Sequence, residues 1–349
     1  MFVKMRAIVH IGTIKTATSS IQEYLFQNQK MLIMNGYYFV QSGGPKNNRA
    51  IPSFCLKDSS DDNFFKLIGA NSLKKRKEFK TNFIKNFSNE INSIPENVHT
   101  VILSSEQFHF ATNSLEEVNN VKIFLSDYFD EIQIVCYLRE QLELCNSHYS
   151  SELLMAGLTK SYADFIKECN PSNIHYNYYD MLLNWEKCFG KNNLSVSIFN
   201  SETLFNNNII DDFFNNLNPK LVNLLDDTSL KFNQSINYSG QIIAKAVNQA
   251  FPKFEGDHVA KSNSIRVKCQ DIIKKGLSGK GQQPSIEVAN KIYSSFKKSN
   301  DLVRRKYFPE LTQLFKIQSN NSESIDFCDE TISQVLKDLF TTISQNSNK

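Results

Sequence analysis

Short apolar runs alternate with amphipathic stretches through the first two thirds of the chain. Four of these runs have the length and composition of buried strands, at residues 5–11, 100–103, 132–138 and 194–199. Between them, apolar residues recur at helical spacing and predict helices over about residues 19–32, 71–91 and 115–128. Strands separated by helices are typical of βαβ units, so the pattern predicts an α/β fold with a central parallel sheet flanked by helices.

The pattern becomes wholly helical after about residue 200. It predicts helices over residues 209–217, 238–250, 265–275, 286–299 and 324–344. We therefore divide the chain into an α/β core, residues 1–235, and a helical C-terminal extension, residues 236–349, packed on the same domain. Glycines and prolines predict a loop over residues 41–60.

The composition is that of a folded globular protein with little excess charge. Of the 349 residues, 41% are hydrophobic and 12% are aromatic, which argues against an unfolded chain. The 39 Lys and Arg residues only slightly outnumber the 36 Asp and Glu residues. We therefore expect no DNA or RNA partner bound through bulk charge.

Cysteine usage and hydropathy bear on the cellular compartment. The seven cysteines include no C-x-x-C pair, so the sequence predicts neither a zinc site nor a disulfide framework, and reduced thiols are expected. No apolar run is long enough to span a bilayer, and the N-terminus lacks the cleavage site of a signal peptide. These features predict a cytoplasmic protein without a transmembrane segment.

The residues after the first strand have the composition of an anion-binding loop. Residues 10–20 read H-I-G-T-I-K-T-A-T-S-S and join the strand directly to a helix. A helix N-terminus presents free N–H groups and a partial positive charge. Lys15 adds a full charge, and the hydroxyls of Thr16, Thr18 and Ser19 add donors. A Ser/Thr-rich helix cap with a solvent-directed Lys would have the same composition. The loop is not a Walker A motif, because Ile14 stands immediately before Lys15 where that motif has Gly, and Gly12 lies only three residues before Lys15.

A second basic position follows the strand at residues 132–138. Arg139 ends that strand at the same sheet edge as the first loop, and Ser147 lies eight residues later, two turns into the next helix. Arg suits a phosphate because its planar fork donates two hydrogen bonds. A strand-terminal Arg that caps carboxylates, with an unrelated surface Ser, is the alternative. Two anion sites at separate strand ends fit a nucleotide that carries phosphates at two positions.

Both motifs resemble those of sulfotransferases that use 3′-phosphoadenosine 5′-phosphosulfate (PAPS). In the soluble bacterial, carbohydrate-type branch the first loop typically reads H-I-G-x-x-K-T-G-T-[ST]-S-[IL]-Q. This sequence differs at Ala17, where the family usually has Gly, which implies a negative φ or local strain at that residue. The resemblance implies a P-loop-like sulfotransferase fold, with Arg139 and Ser147 holding the 3′-phosphate. It implies that the 5′-phosphosulfate is held by Gly12, Thr13, Lys15, Thr16, Ala17, Thr18 and Ser19.

The resemblance also implies how a sulfuryl group would be transferred. Lys15 would stabilise the leaving phosphate oxygen, and no metal is required. Glu106, which follows the strand at residues 100–103, is the expected general base, and His109 is the alternative. A helix-capping role, or an ion pair with Arg139, is the structural explanation that competes with catalysis by Glu106.

The implied acceptor is a hydroxyl of a glycan or glycolipid, such as a capsular or lipopolysaccharide sugar. We expect the helical C-terminal extension and the loop at residues 41–60 to line the acceptor cleft. Two other functions remain open. One is a P-loop nucleotide kinase or NTPase with Glu106 as a Mg²⁺ ligand, and the other is a catalytically inactive nucleotide-binding protein.

A basic run lies outside these motifs, at residues 74–77 with Lys80 and Lys85. Its charges fall all around the predicted helix rather than along one stripe, so we interpret it as a solvent-exposed face. Attraction of an acidic glycan is the alternative.

Overall fold

The structure, a computed structural model, describes residues 5–60, 62–225, 235–255, 261–316 and 329–347. Its strands are β1 Arg6–Gly12, β2 Tyr37–Phe39, β3 Thr100–Ser104, β4 Glu131–Leu138, β5 Leu194–Ile198, β6 Phe254–Glu255 and β7 Lys261–Ser262. Its α-helices are α1 Thr18–Gln27, α2 Gln29–Met34, α3 Ala50–Cys55, α4 Asn63–Leu67, α5 Leu73–Asn92, α6 Gln107–Phe110, α7 Leu115–Ser126, α8 Gln141–Ser151, α9 Tyr162–Phe165, α10 Tyr178–Phe189, α11 Ile209–Leu217, α12 Pro219–Val222, α13 Tyr238–Ala250, α14 Ser264–Gly276, α15 Ile286–Tyr307 and α16 Asp329–Ser347.

The central feature of the described chain is a five-stranded sheet in the order β2–β3–β1–β4–β5. Every neighbouring pair in this sheet is parallel. Ala7, Ile8 and Val9 of β1 are fully buried, and because successive residues point to opposite faces, both faces of the sheet are covered. The predicted α/β fold with a central parallel sheet flanked by helices is confirmed.

The chain leaves two neighbouring strands of the sheet in opposite directions. From β1 it crosses to the edge strand β2, whereas from β3 it passes β1 and continues to β4. Such a reversal opens a crevice at the carboxyl ends of the strands, where open α/β sheets bind their ligands. The loop after β1 and the segments after β3 and β4 all begin at this edge.

Several segments differ from the sequence prediction. The helix predicted over residues 19–32 is divided into α1 and α2, because Asn28 adopts φ −105° and its amide donates to the Tyr24 carbonyl at 2.9 Å. The pattern does not predict β2, since three residues are too few to show an alternation. The loop predicted over residues 41–60 contains the short helix α3. The last predicted helix, residues 324–344, begins outside the described residues.

Contacts divide the chain into two compact units. The first comprises Met1–Arg139 and Asn177–Phe232 and contains the parallel sheet, and the second comprises Glu140–Tyr176 and Asn233–Lys349. This grouping assigns α8 and α9 to the same unit as the C-terminal helices. The division of the chain at residue 235 into a core and an extension stays a prediction.

The second unit contains a buried polar cluster beside a π-helical turn, Glu152–Ala156. The guanidinium of Arg266, which is 2% exposed, donates to Asn248 Oδ1 at 2.8 Å and to the Leu154 carbonyl at 3.0 Å. The amides of Asn248 and Gln270 donate to the Leu153 carbonyl at 2.8 and 3.0 Å. These bonds satisfy carbonyl groups of the turn that would otherwise be buried without a partner.

Among the described residues, none of the helices combines the length and the apolar character needed to cross a bilayer. The thiols of Cys55, Cys136, Cys145, Cys169, Cys188 and Cys269 are buried, and Cys328 lies outside the described residues.

Candidate active site

The loop after β1 begins at a glycine that no other residue can replace without strain. Gly12 has φ +90°, a conformation that disfavours any side chain. A Cβ atom added to Gly12 would also lie 3.2 Å from the Cα atom of Glu106, a backbone atom that cannot rotate away. Gly12 therefore lets the first loop approach the segment that follows β3.

Two threonines fix the shape of the loop through backbone contacts. The N–H and the hydroxyl of Thr13 both lie 3.0 Å from the carbonyl oxygen of Tyr137 on β4, and both donate to it. The hydroxyl of Thr16 donates to the Thr13 carbonyl at 2.6 Å. Both threonine side chains are fully buried. Their hydroxyl hydrogens are thus used inside the protein and hold the loop in shape, and a role for Thr13 and Thr16 at the phosphosulfate stays a prediction.

The loop adopts an uncommon backbone conformation before α1. Lys15 and Ala17 have φ +62° and +56°, both in the left-handed region. A left-handed residue between residues of negative φ turns successive N–H groups toward one side and forms an anion-binding concavity. At Ala17 the sequence left two possibilities, a negative φ or local strain, and the structure has the strained conformation. This backbone conformation is one that Gly adopts without cost.

Helix α1 begins where the loop ends. In the described chain, no side chain caps its N-terminus, since Ala17 occupies the N-cap position. Thr18 is buried in the first turn and Ser19 is exposed. The N-terminal N–H groups of a helix of ten residues, with its partial positive charge, therefore lie next to Lys15.

Arg139 joins the end of β4 to this loop. Its Nη1 donates to the carbonyl oxygen of Lys15 at 3.0 Å, and its guanidinium lies 5.7 Å from the centre of the Phe199 ring. The hydroxyl of Tyr178 donates to the Arg139 carbonyl at 2.6 Å and fixes the backbone at the strand end. The structure thus brings together the two basic residues predicted from separate motifs.

Glu106 lies directly after β3 and is held by two amides. Nε2 of Gln22 donates to Oε2 at 3.1 Å, and Nδ2 of Asn47 lies 2.9 Å from Oε1 and 3.0 Å from Oε2. In the described chain, the Glu106 side chain does not cap α6, although Glu106 occupies the N-cap position. The carboxylate is half-buried and its orientation is set by neutral donors.

The same network continues below Glu106 to His10. Ser104 Oγ lies 3.4 Å from Gln22 Nε2 and 2.8 Å from His10 Nδ1. His10 is fully buried, and burial lowers the pKa of its imidazole to about 3, so the ring is neutral at physiological pH. His10 therefore supports the site from the strand and is not an acid or base in it.

Two further predicted residues, His109 and Ser147, lie on α6 and α8. His109, the alternative base, is 2% exposed on α6, whereas Glu106 is half-buried. Ser147 belongs to α8 in the second unit and is half-buried. A role for Ser147 at the 3′-phosphate stays a prediction.

Sequence reasoning missed residues that hold Glu106 and the adjoining backbone. Gln22 stands in the first motif but has no assigned role there, and Asn47 lies in the predicted loop. Asn48 accepts from the Ser104 N–H at 2.8 Å and donates to the Val40 carbonyl at 2.8 Å, and so ties this loop to β3. No local pattern marks an amide in an irregular segment, so no sequence signal could have found Asn47 or Asn48.

No protein-family model and no curated protein matches the chain. Among solved structures, the chain is similar to the crystal structure of a sulfotransferase from Alicyclobacillus acidocaldarius, with 12% sequence identity and a TM-score of 0.45. The similarity covers 86% of this chain and 94% of that chain.

Proposed function

We propose that this protein is a sulfotransferase that transfers the sulfuryl group of PAPS to a hydroxyl of a glycan or glycolipid. The observation that carries the proposal is the hydrogen bond from Arg139 to the Lys15 carbonyl, because it joins two basic strand ends at one edge of the sheet. A nucleotide with phosphates at both its 3′ and 5′ positions needs two such anion sites close together.

The loop after β1 fits the 5′-phosphosulfate. Its left-handed residues and the uncapped N-terminus of α1 direct N–H groups at an anion, and the ammonium of Lys15 adds a positive charge. The proposal assigns hydroxyl donation to Thr18 and Ser19. Thr13 and Thr16 also shape the loop, since their hydroxyl hydrogens bond to backbone carbonyls.

Arg139 is assigned to the 3′-phosphate. Its Nη1 is used by the Lys15 carbonyl, and the contact orients the guanidinium beside the loop. Ser147 is proposed as the second ligand of this phosphate, on the basis of the motif alone.

The chemistry would be an in-line transfer between two oxygens. The acceptor oxygen forms a bond to sulfur while the bond between sulfur and the 5′-phosphate oxygen breaks, and adenosine 3′,5′-bisphosphate leaves. Glu106 accepts the acceptor proton, and Lys15 stabilises the negative charge that grows on the departing oxygen. The amides of Gln22 and Asn47 keep the Glu106 carboxylate oriented for this step.

The first experiment is a thermal shift assay with three ligand conditions. We expect adenosine 3′,5′-bisphosphate to raise Tm without added metal, and ATP with Mg²⁺ to raise it less. Preference for ATP with Mg²⁺ would contradict the proposal and favour a nucleotide kinase or NTPase.

The second experiment measures transfer from labelled PAPS to a panel of glycans and glycolipids. We expect Lys15→Ala and Glu106→Gln to lower kcat by about 100-fold or more. Exposed residues supply matched controls, Lys187→Ala on α10 and Glu287→Gln on α15, which should transfer like the unmodified protein. Normal transfer by the Glu106 variant would show that Glu106 is not the general base. Binding of the bisphosphate without transfer to any acceptor would favour an inactive nucleotide-binding protein.

A further inference from the structure

Two side chains of neighbouring strands meet next to Glu106 on one face of the sheet. His10 of β1 and Ser104 of β3 are register partners, and Nδ1 of His10 lies 2.8 Å from Oγ of Ser104. Both residues are fully buried. The buried Gln22 of α1 places Nε2 3.4 Å from Oγ of Ser104 and 3.1 Å from Oε2 of Glu106. Contacts therefore run without a break from β1, through β3 and α1, to the carboxylate of the proposed base.

The chemistry of these groups fixes the direction of each hydrogen bond between them. An amide nitrogen donates and does not accept, so Oγ of Ser104 accepts from Gln22. The hydroxyl hydrogen of Ser104 has one acceptor within reach in the described part of the chain, which is Nδ1 of His10. His10 therefore accepts at Nδ1 and carries its own hydrogen at Nε2, which is one of the two neutral tautomers of histidine.

The surroundings of His10 favour the same tautomer. The centre of its ring lies 5.9 Å from the ring centre of Tyr137 and 5.4 Å from that of Phe213. Nε2 of His10 is buried without a hydrogen-bond partner among the described residues. An N–H group among aromatic rings interacts weakly but favourably with their π electrons, whereas a nitrogen lone pair is repelled by them. Burial also lowers the pKa of the imidazole to about 3, so Nδ1 does not take up a second proton near neutral pH.

The tautomer of His10 determines which end of the Gln22 amide faces the site. If the amide oxygen stood in place of the nitrogen, it would lie 3.1 Å from Oε2 of Glu106, with no hydrogen between the two acceptors. That oxygen would also compete with His10 for the single hydrogen of the Ser104 hydroxyl. An acceptor at Nδ1 of His10 therefore keeps the nitrogen of Gln22 directed at the carboxylate.

We propose that His10 and Ser104 are positioning residues that fix the direction of the Gln22 amide, so that its nitrogen faces Glu106. Their effect on catalysis rests on the proposed function, in which Glu106 is the general base. Loss of the Gln22 donor leaves the carboxylate less restricted and slows proton transfer, but it leaves the anion-binding loop unchanged. A purely structural role, in which the side-chain bond only joins β1 to β3, is the alternative. Backbone pairing over five register partners already joins these strands.

The first test is a nitrogen-15 NMR spectrum of the full chain with labelled histidine, which distinguishes protonated from unprotonated ring nitrogens. The signals of His10 are those that disappear in His10→Asn and shift in Ser104→Ala. We expect Nδ1 to be unprotonated and Nε2 to be protonated near neutral pH. A protonated Nδ1 would overturn the proposal, whether or not the protein transfers sulfate.

The second test is a double-mutant cycle on transfer from PAPS. We expect Ser104→Ala and Gln22→Met each to lower kcat by about tenfold. Once Gln22 is replaced, Ser104→Ala should lower kcat by less than about twofold more, because Ser104 acts through Gln22. The Kd for adenosine 3′,5′-bisphosphate should stay within about twofold of the unmodified value in both single variants. Losses in kcat that multiply in the double variant would show independent structural roles and overturn the proposal.

A matched control for the serine lies at the next position. Ser105 is also fully buried, but its hydroxyl accepts from the N–H of Gln107 at 3.2 Å. Ser105→Ala should therefore keep kcat within about twofold of the unmodified value.

Two substitutions at His10 separate its acceptor from its volume. Asn carries an oxygen on Cγ, where His carries Nδ1, whereas Leu carries only a methyl group there. We expect His10→Asn to retain at least about fivefold more kcat than His10→Leu. Equal losses in the two variants would contradict the proposal. Absence of transfer by the unmodified protein would contradict the proposed function instead, and the tautomer of His10 would then decide this proposal.

Discussion

The amide nitrogen of Asn47 lies within 3.0 Å of both carboxylate oxygens of Glu106. The shared donor of Asn47 and a second donor, Gln22 Nε2 at 3.1 Å from Oε2, together restrict the orientation of the carboxylate. Asn47 is therefore a positioning residue for the proposed base, supplied by the segment between β2 and α3.

Substitution of Asn47 by Ala should lower the rate of transfer more than the affinity for PAPS. The carboxylate loses a donor that orients it, so we expect kcat to fall by about tenfold while KM for PAPS stays within about twofold. Steady-state kinetics with a saturating acceptor measures both values. Asn82→Ala, at an exposed position on α5, is the control. A rise of about tenfold in KM for PAPS, with unchanged kcat, would show instead that Asn47 contributes to PAPS binding.

Arg139→Lys should weaken nucleotide binding. Lys keeps the positive charge but loses the planar fork that allows one side chain to bond both a carbonyl and a phosphate. We expect the Kd for adenosine 3′,5′-bisphosphate, measured by calorimetry, to rise about tenfold or more. Arg305→Lys, at a position 70% exposed on α15, should bind the nucleotide normally. Unchanged affinity of the Arg139 variant for the nucleotide would show that Arg139, at the end of β4, does not bind the 3′-phosphate.

Gly12→Ala should destabilise the fold as well as the site. The new methyl group meets the Cα atom of Glu106 at 3.2 Å, and the φ of +90° is strained for Ala. We expect a loss of at least about 1 kcal/mol in the free energy of unfolding, measured with urea. Gly190→Ala makes a useful comparison, because its φ is +85° but no atom lies within 4 Å of the added Cβ. A larger loss at Gly190 than at Gly12 would contradict the close approach.

Ala17→Gly should stabilise the protein. The left-handed conformation costs Ala17 about 1–2 kcal/mol, and Gly adopts it without this cost. The greater flexibility of Gly in the unfolded chain offsets part of this gain. We expect a gain of about 0.5–1 kcal/mol in the free energy of unfolding. The same substitution at the exposed, helical Ala246 of α13 should instead lose about 1 kcal/mol. Losses at both positions would argue against the left-handed loop.

Buried His10 should make the protein less stable in mild acid. Burial lowers the pKa of its imidazole to about 3, whereas an unfolded chain has a histidine pKa of about 6.5, so the unfolded state binds more protons between these pH values. Stability therefore falls as the pH drops below about 6.5, and His10 contributes a loss of about 2 kcal/mol by pH 5. Urea unfolding at pH 7.5 and pH 5 measures this loss, which should shrink in His10→Gln. An identical pH dependence in the variant would mean that His10 is not buried in its neutral form.

The sequence carries a strong signal for the sheet and a weaker one for the site. The apolar runs predict β1, β3, β4 and β5 because buried parallel strands need continuous hydrophobic residues. Helices α11 and α13 have the bounds that their apolar spacing predicts. Strand β2 is too short for its pattern to be recognised.

The chemistry of the loop could be predicted only in part. Residue types and their place after a strand predict the anion-binding loop and the nearness of Lys15 to Arg139. The bond made by the Thr13 hydroxyl could not be predicted, because the Tyr137 carbonyl that accepts it lies 124 residues along the chain. Asn47 reaches Glu106 through an irregular segment held by side-chain bonds, for which no periodicity exists.

The distance in sequence between Thr13 and Tyr137 has a consequence for biosynthesis. The loop after β1 leaves the ribosome early, but its shape depends on a carbonyl of β4 that is translated 124 residues later. Non-local pairings of this kind form slowly, and the nascent chain waits without them. We therefore expect a chain released before β4 to contain the loop residues without the conformation that would bind a nucleotide.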